Sequence, residues 1–287
     1  GGGGDYTSIT GALAELGPQR VMAYESIDVY DGTYEGQVSV VDRDYITIQA
    51  ATGQAPVIDG TTYGVSLDSS RGITISGLRI TGATSFGIYN NSWYSIIVSN
   101  RVYGNAGGIR QNDDMYYGTI RNNLIYNNTS YAIYVRDSSV DTQIINNTCY
   151  TNTLGISVLA ANATVVIKNN ISDSSINNDF YPNAGTFSYN CSGDETATGT
   201  GALTNTNPSF VNTASNDFHL KSGQGTWNGW RWTRYPSEHS PCIDAGDTND
   251  LVGAEPSPNG GRINMGAYGG TAVASKTRVP GAVFTIW

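Results

Sequence analysis

The sequence predicts an all-β solenoid, a parallel β-helix, and two repeating patterns support that prediction. A six-residue phrase beginning with Ile recurs every 22 to 24 residues, as Ile75–Ile80, Ile97–Val102, Ile120–Ile125, Ile144–Cys149 and Ile167–Ser172. An apolar residue recurs in phase with it, at Val65, Ile88, Ile109, Ile133, Ile156 and Phe180. This period, with short alternating apolar runs, is typical of coils that stack around one continuous core. Helical solenoids need longer repeats and a periodicity of about 3.6 residues, which these segments lack.

Asn occupies the fourth position of most of these phrases, at Asn100, Asn123, Asn147 and Asn170, and Asn190 continues the column. Asn tolerates the left-handed conformation of a tight bend, and its amide can hydrogen-bond to the Asn of the next coil. The flanking Ile and Val side chains should point inward and stack on their counterparts. Cys149 stands where other coils have Ile or Val, which predicts a buried apolar thiol rather than a nucleophile.

The composition fits an extracellular, turn-rich protein. Among 287 residues there are 35 Gly and 19 Tyr, and only 14% of the residues are charged. A net charge of −9 disfavours nucleic acid as a partner, because phosphates repel an acidic surface. No apolar run is long enough to span a bilayer. The start at Gly1–Gly4, without Met, indicates a processed chain. We therefore expect an extracellular or cell-surface location.

The chain divides into four predicted regions. Residues 1–20 form an N-terminal cap with a short amphipathic helix, which would cover the open top of the core. Residues 21–195 form the coils of the β-helix. Residues 196–275 form a β-rich module that continues and caps the solenoid, and residues 276–287 form a strand-like tail. The apolar face of the cap helix consists of Ile9, Ala12, Leu13 and Leu16.

Several short motifs resemble those of a known superfamily. The opening coils contain Asp5–Ile9, Asp31–Glu35 and Ile46–Gln49, and the C-terminal region contains Asp217–Leu220, Ser240–Asp247 and Pro258–Tyr268. The first set resembles secreted bacterial right-handed β-helix proteins of the pectate-lyase-like superfamily. The second set resembles a module that follows such helices in large surface or secreted proteins. The resemblance implies a right-handed helix and an extracellular setting. It leaves activity open, since the superfamily includes lyases, hydrolases, epimerases and non-catalytic surface proteins.

The best candidate site follows from the register of the second apolar series. Pairing Ile109 with Ile133 aligns the charged and aromatic residues that follow them in neighbouring coils. The resulting group contains the catalytic candidates Arg110, Arg136 and Asp137, the metal-ligand candidates Asp113, Asp114 and Asp137, and the sugar-binding candidates Tyr89, Trp93, Tyr116 and Tyr134. Stacked carboxylates supply hard oxygen ligands for Ca²⁺, and aromatic rings supply platforms for sugars. The leading expectation is that the protein has no cofactor, and Ca²⁺ is the ion that this group would take in the alternative, sugar-active interpretation.

A lyase of this fold makes two chemical demands on such a site. It needs a base that removes the proton α to a uronate carboxyl, and a cation that neutralises that carboxyl. In the alternative interpretation, Arg110, Arg136 and the Asp residues form a surface salt-bridge ladder. No Lys lies on this face, and His219 and His239 belong to the C-terminal module. The pattern therefore gives little support to catalysis.

Two further predictions concern covalent modification. The glycosylation triplets at Asn127, Asn128 and Asn162 fall in predicted loops, where they would carry a glycan if the host glycosylates the protein. Three cysteines are too few for a disulfide framework. The sequence leaves open whether Cys191 and Cys242 form a single bridge.

The tail predicts an assembly contact. One strand is not stable alone, so the tail must pair with an edge of its own β-helix or of a neighbouring subunit. The leading functional prediction is a non-catalytic structural protein whose copies assemble head to tail into a fibre or surface layer. The alternative is a Ca²⁺-assisted lyase on acidic glycans or a carbohydrate-binding surface protein, with an extracellular polysaccharide as partner. The assembly residues would be Val283, Phe284, Ile286 and Trp287.

Overall fold

The repeating apolar residues of the sequence become the strands of a right-handed parallel β-helix, which confirms the predicted fold. The computed structural model describes residues 6–16, 24–112, 116–136, 140–159, 164–182 and 184–278. In these residues one helix, α1 (Ile9–Glu15), and one 3₁₀ turn (Thr213–Ser215) accompany the strands. The strands are β1 (Glu25–Val29), β2 (Thr33–Glu35), β3 (Val38–Val41), β4 (Ile46–Ala50), β5 (Val57–Asp59), β6 (Tyr63–Arg71), β7 (Thr74–Ser76), β8 (Arg79–Thr81), β9 (Phe86–Trp93), β10 (Ile96–Val98), β11 (Arg101–Tyr103), β12 (Gly107–Gln111), β13 (Thr119–Arg121), β14 (Leu124–Tyr126), β15 (Tyr131–Val135), β16 (Gln143–Ile145), β17 (Thr148–Tyr150), β18 (Leu154–Val158), β19 (Val166–Lys168), β20 (Ile171–Asp173), β21 (Phe180–Pro182), β22 (Thr186–Ser188), β23 (Cys191–Ser192), β24 (Phe210–Asn212), β25 (Asp217–Leu220), β26 (Thr226–Trp227) and β27 (Trp232–Thr233).

Each coil contributes one strand to each of three parallel sheets. Sheet A has the order β1-β4-β7-β10-β13-β16-β19-β22, and sheet B has the order β2-β5-β8-β11-β14-β17-β20-β23. Sheet C has the order β3-β6-β9-β12-β15-β18-β21. Strands that follow one another at intervals of three are neighbours in space, so residues one coil apart in the chain lie side by side.

The core lies inside the coils and consists mainly of stacked β-branched side chains. Ile109 pairs with Ile88 on one side and with Ile133 on the other, as the sequence predicted. All members of this series are fully buried, as is Cys149. Burial raises the pKa of the Cys149 thiol far above its ordinary value, so this residue is a buried thiol, as predicted. Each fully buried Ile contributes about 1.5–3 kcal/mol to the fold.

The predicted asparagine column forms a continuous hydrogen-bonded ladder. The backbone N–H of Asn123 donates to Oδ1 of Asn147 at 3.0 Å, and the same bond recurs at 2.8–3.0 Å between Asn100 and Asn123, Asn147 and Asn170, and Asn170 and Asn190. The prediction that these asparagines take the left-handed conformation is wrong. That conformation belongs to the residue before each of them, for example Asn122 (φ 54°) before Asn123.

A second ladder, which the sequence analysis missed, runs through Asn105, Asn128 and Asn152. The backbone N–H of Asn105 donates to Oδ1 of Asn128 at 3.0 Å, and that of Asn128 donates to Oδ1 of Asn152 at 3.1 Å. Asn128 is only 2% exposed. The prediction that Asn128 carries a glycan is therefore wrong, because its amide is committed to the ladder and no space remains for a sugar.

Helix α1 lies over the first coil. The Ser8 side chain caps it by accepting a hydrogen bond from the backbone N–H of Gly11 at 3.0 Å. Its face of Ile9, Ala12 and Leu13 is buried, and Ile9 and Leu13 join the main core. The predicted amphipathic helix is thus present, and it contacts strands β1 and β3.

The C-terminal region leaves the stack and returns along its outside. Isolated parallel bridges from Ser188 to Thr200 and from Cys191 to Leu203 add a last short coil. Residues 206–278, which we call the clasp, then lie against the outer face of sheet B. Two rings of the clasp, Phe210 and Phe218, pack against the outward rings of β14 and β17 at centroid distances of 5.2–5.9 Å. The outward rings on sheet B are Tyr103, Tyr126 and Tyr150.

Polar bonds fasten the clasp to three successive coils. The Asn122 side chain donates to the carbonyls of Ala267 and Gly269, each at 2.9 Å. One coil later, Asn146 donates to the carbonyl of Asn264 at 2.8 Å. In the next coil Asn169 accepts from the backbone N–H of Asp247 at 2.7 Å. The left-handed residues between sheets A and B thus present one amide per coil to the clasp.

Candidate functional site

The outer face of sheet C carries the predicted group of aromatic and charged residues. Side chains alternate along a strand, so the residue after each buried Ile of the second series points outward. In this outward column Arg110 of β12 lies between Tyr89 of β9 and Tyr134 of β15. The predicted alignment of Arg110 with Tyr134 is therefore confirmed.

The Arg110 guanidinium sits among aromatic rings. Its central carbon lies 5.5 Å from the ring centroid of Tyr89 and 5.8 Å from those of Phe86 and Tyr134. At these distances the positive charge is attracted to the faces of the rings. Nη2 donates to Oδ1 of Asn112 at 2.9 Å, whereas Nε is buried without a hydrogen-bond partner.

Arg110 has no counter-charge in the described part of the chain. Among those residues no carboxylate lies within ion-pair distance of its guanidinium. The alternative interpretation, a salt-bridge ladder, therefore receives no support at Arg110 from the described residues. Asp113, Asp114 and Asp137, which would complete that ladder or the predicted Ca²⁺ site, lie outside them.

The rings around Arg110 form a continuous surface, which we call the platform. Tyr63 stacks on Tyr89 with centroids 4.7 Å apart, and Tyr131 stacks on Tyr134 at 4.4 Å. Phe86 lies flat over Gly107, where a Cβ atom would come within 2.4 Å of its ring. Of these rings, only Tyr89 and Tyr134 were predicted from the sequence. The spacing of the other rings, each of which precedes a buried residue of the second apolar series by two positions, could have revealed them: Tyr63, Phe86 and Tyr131.

A polar row follows the platform along the strands. Asn112 donates to Oδ1 of Asn91 at 3.1 Å, and Asn91 in turn donates to Asp68. Arg136 is next in this row, since its backbone N–H donates to the Gln111 carbonyl at 3.1 Å. Side-chain amides in this row connect Asp68 to Arg110. The row therefore places hydrogen-bond donors and acceptors along the outer face of sheet C.

A second group of rings, which we call the aromatic corner, lies at the far end of the same strands. Trp93 and Tyr116, predicted as sugar-binding residues, are found here and not beside Tyr89 and Tyr134. Tyr94 stacks on Tyr117 with centroids 4.7 Å apart, and both rings are nearly half exposed. The guanidinium of Arg71 lies 4.8 Å from the ring centroid of Tyr94. The structure thus divides the predicted sugar-binding set between two ends of one face.

The remaining site predictions have mixed outcomes. Asn127 is exposed at a left-handed turn (φ 55°), so its glycosylation stays a prediction. Asn162 and the assembly residues Val283, Phe284, Ile286 and Trp287 lie outside the described residues, and tail-mediated assembly stays a prediction as well. No helix among the described residues has the length and hydrophobicity needed to cross a membrane.

A match to a protein-family model identifies the family of this chain, which the short motifs alone do not. The model described as periplasmic copper-binding protein (NosD) matches residues 35–230, which is more than half of the chain. The chain belongs to the NosD family. Membership in this periplasmic family fits the expectation of a protein outside the cytoplasm. A search among curated proteins gives no match.

The copper in the description of the NosD family raises the question of a metal centre. In the portion of the chain that the structure describes, no group of three or more His, Cys, Asp or Glu side chains is placed to hold a metal ion. The described residues of this NosD-family chain therefore do not fit such a centre, and we assign no copper chemistry to them. The predicted Ca²⁺ site rests on Asp residues outside the described ranges and stays a prediction.

The fold of this chain is similar to that of a solved pectate lyase. Pectate lyase Pel9A is 14% identical, with a TM-score of 0.52 over 91% of this chain and 90% of that one. An alginate lyase from Paenibacillus sp. str. FPU-7 is 19% identical, with a TM-score of 0.45 over 64% of this chain and 83% of that one. Pectin methylesterase from Aspergillus niger is 14% identical, with a TM-score of 0.34 over 67% and 81%. At such identities the likeness to Pel9A concerns the fold alone, which in this NosD-family chain is a parallel β-helix.

Proposed function

We propose that this protein binds an acidic extracellular polysaccharide along the outer face of sheet C. The observation that carries the proposal is the Arg110 guanidinium, which lies among three rings without a described carboxylate partner in a chain of net charge −9. Burial of a charge is unfavourable unless the charge is paired, and a ligand anion would supply a partner for this guanidinium. A guanidinium matches the planar carboxylate of a uronic acid or the oxygens of a sulfate ester.

The face offers suitable contacts on either side of Arg110. The platform presents stacked rings on which the apolar face of a sugar can pack, and the polar row presents amides to its hydroxyl groups. The aromatic corner offers further exposed rings to a chain that crosses the face. A glycan of several residues would therefore contact the platform, the row and the corner in turn.

Individual arginines offer an acidic ligand points of attraction on this face despite the acidic protein. Arg71, Arg110 and Arg136 all belong to the strands of sheet C or directly follow them. The attraction should be screened by salt, because the Debye length falls to about 8 Å at physiological ionic strength. Binding that weakens as salt rises, yet persists through ring contacts, is the expected behaviour.

Binding can be measured by isothermal titration calorimetry with polygalacturonate, alginate and chondroitin sulfate, using dextran as the neutral control. We expect at least one acidic polymer to bind and dextran to bind far more weakly. Arg110→Ala should weaken binding by roughly tenfold or more, which corresponds to about 1.4 kcal/mol. Arg121→Ala, which removes the same charge from the exposed face of sheet A, is the matched control and should change affinity less than twofold.

Absence of binding to every acidic polymer by the unaltered protein would overturn the proposal. So would equal losses from Arg110→Ala and Arg121→Ala, since that result would indicate only a general charge effect. The same samples can be followed by ultraviolet absorbance for unsaturated sugar ends. Their appearance would extend the function from binding to lyase catalysis.

A further inference from the structure

Two of the three cysteines lie in one buried cluster where the clasp joins the solenoid. Cys191 lies in β23, the last strand of sheet B, and Cys242 lies in the clasp. Both are fully buried and belong to one apolar cluster, together with Ile171, Phe218 and Met265. Both are free thiols in the structure, as is Cys149.

The backbone holds the two cysteines in position independently of their side chains. The N–H of Cys191 donates to the Asn170 carbonyl at 2.8 Å, which continues the ladder of sheet B. The carbonyl of Cys242 accepts from the N–H of Met265 at 2.9 Å, and the N–H of Cys242 donates to the Ser240 hydroxyl at 3.1 Å. Each cysteine is thus fixed by its own segment, and the docking of the clasp brings Cys242 into the same buried cluster as Cys191.

We infer that Cys191 and Cys242 form a disulfide in the exported protein, which joins the clasp covalently to the last coil. Disulfides persist in oxidising compartments such as the bacterial periplasm, and the chain belongs to a periplasmic family. The bond would close a loop between residues that lie about fifty positions apart. Closing a loop of this length restricts the unfolded chain and so stabilises the folded one.

The chemistry requires an oxidant, which we take to be a disulfide-bearing oxidoreductase or a small-molecule disulfide. The thiolate of one cysteine attacks the oxidant's disulfide, forms a mixed disulfide and releases one oxidant thiolate. The second cysteine's thiolate then attacks the mixed disulfide, forms the Cys191–Cys242 bond and releases the second oxidant thiolate. Two protons and two electrons leave the cysteine pair, and the oxidant's disulfide is reduced to two thiols.

Burial determines when this reaction takes place. The neighbouring Cys242 thiol and the surrounding apolar groups hold the pKa of Cys191 far above its ordinary range. A thiol that is buried and protonated neither attacks a disulfide nor meets an oxidant. The exchange therefore occurs before the clasp docks, and the bond, once formed, is shielded from reductants by the same burial.

The test is a thiol count on protein purified after export to an oxidising compartment. The protein is denatured in the presence of an alkylating reagent, digested without reductant and analysed by mass spectrometry. We expect one alkylated cysteine, Cys149, and one linked peptide pair that contains Cys191 and Cys242. Cys149→Ser should leave that pair unchanged, whereas Cys191→Ser and Cys242→Ser should each abolish it. Three alkylated cysteines in the unaltered exported protein would overturn the inference.

The order of events has its own test. Protein prepared fully reduced and folded should stay reduced when oxidised glutathione is added, because the pair is buried. The same protein should acquire the Cys191–Cys242 bond when it is unfolded and refolded with that reagent. Rapid oxidation of the folded protein would show that the clasp opens readily and would contradict the proposed order.

Discussion

A single ladder asparagine satisfies several backbone groups at once. The Nδ2 of Asn123 donates to the carbonyls of Ile97 and Arg121 and to Oδ1 of Asn147, at 2.9–3.0 Å. Its Oδ1 accepts from both nitrogens of Asn100. These groups are buried at a bend where the strands cannot bond one another. The asparagine therefore supplies the hydrogen bonds that a regular sheet would otherwise supply.

Replacing Asn123 by Ala should destabilise the protein by about 1–3 kcal/mol, because it leaves buried backbone groups of two coils without partners. The free energy of unfolding, measured with urea, checks this expectation. Asn177→Ala, at an exposed loop position, is the matched control and should change it by less than about 0.5 kcal/mol. Equal stability of the two variants would mean that the ladder contributes little.

The residue level is where the sequence predicted most and also where it misled. The inward Ile and Val residues were predictable because a period repeated over many coils identifies them. The second ladder had a usable signal, since Asn105, Asn128 and Asn152 each follow a first-ladder Asn by five residues. Asn128 also begins a glycosylation triplet, and we interpreted it as a glycan site and not as part of a ladder. Burial, rather than the triplet, decides the role of this residue.

At the level of elements, the coils and the clasp differ in how far sequence reveals them. A coil repeats, so its strands can be placed by aligning one repeat with the next. The clasp does not repeat, and its bonds join residues far apart in the chain, such as Asn122 with Ala267 and Gly269. Its position along sheet B therefore had no local signal. The separation of the predicted sugar-binding residues into two groups was also not predictable from the repeat. Trp93 and Tyr116 follow the outward column by several residues, so the alignment of that column does not place them.

The aromatic corner retains a costly backbone conformation. Tyr94 and Tyr117 have φ of 55° and 59°, a region that bulky residues rarely occupy. Such outliers cost on the order of 1–3 kcal/mol and concentrate at ligand-binding sites. Tyr45 (φ 57°) and Tyr189 (φ 51°) share this conformation, so it belongs to the bends, and what the corner offers the proposed glycan is its pair of stacked, exposed rings.

Asn adopts this conformation more easily than Tyr, so the variant Tyr94→Asn/Tyr117→Asn should keep the fold. We expect its melting temperature to stay within a few degrees of the unaltered protein, while its affinity for the acidic polysaccharide falls several-fold. Thermal unfolding and calorimetry measure the two effects separately. Tyr30→Asn, at an exposed position near the first coil, is the control and should leave affinity unchanged. Unchanged affinity of the double variant would exclude the corner from the binding surface.

For the whole molecule, a buried carboxyl in the clasp links stability to pH. Glu255 is 6% exposed, and its Oε1 accepts from the N–H groups of Asn264 and Gly270, each at 2.8 Å. Its Oε2 is buried without a partner. Burial raises the pKa of Glu255 from 4.5 to about 7, despite the two N–H groups that favour the anion. The folded protein therefore holds a proton here that the unfolded chain releases above pH 4.5.

Since the folded state binds the extra proton, stability should be full below pH 4.5 and fall as pH rises through about 7. The loss amounts to about 3 kcal/mol if the whole shift acts on stability. Glu255→Gln keeps the acceptor oxygen but does not ionise, so its melting temperature should decline less between pH 5 and pH 8. Glu238→Gln, which alters an exposed carboxyl beside Lys221, should keep the original slope. Identical slopes for all three proteins would contradict this assignment.

The bonding of the clasp to one amide per coil also restricts how this solenoid can change in length. Asn122, Asn146 and Asn169 stand one coil apart, and their partners in the clasp are spaced to match. Duplicating or deleting a coil between Asn122 and Asn169 would put every later contact out of step. Coils before Arg101 bear no such fastening among the described residues, and a duplicated coil there would displace only the coils before it and the cap helix. Duplication of a coil is therefore compatible with the clasp contacts in the N-terminal half of the solenoid and incompatible with them in the coils that the clasp covers.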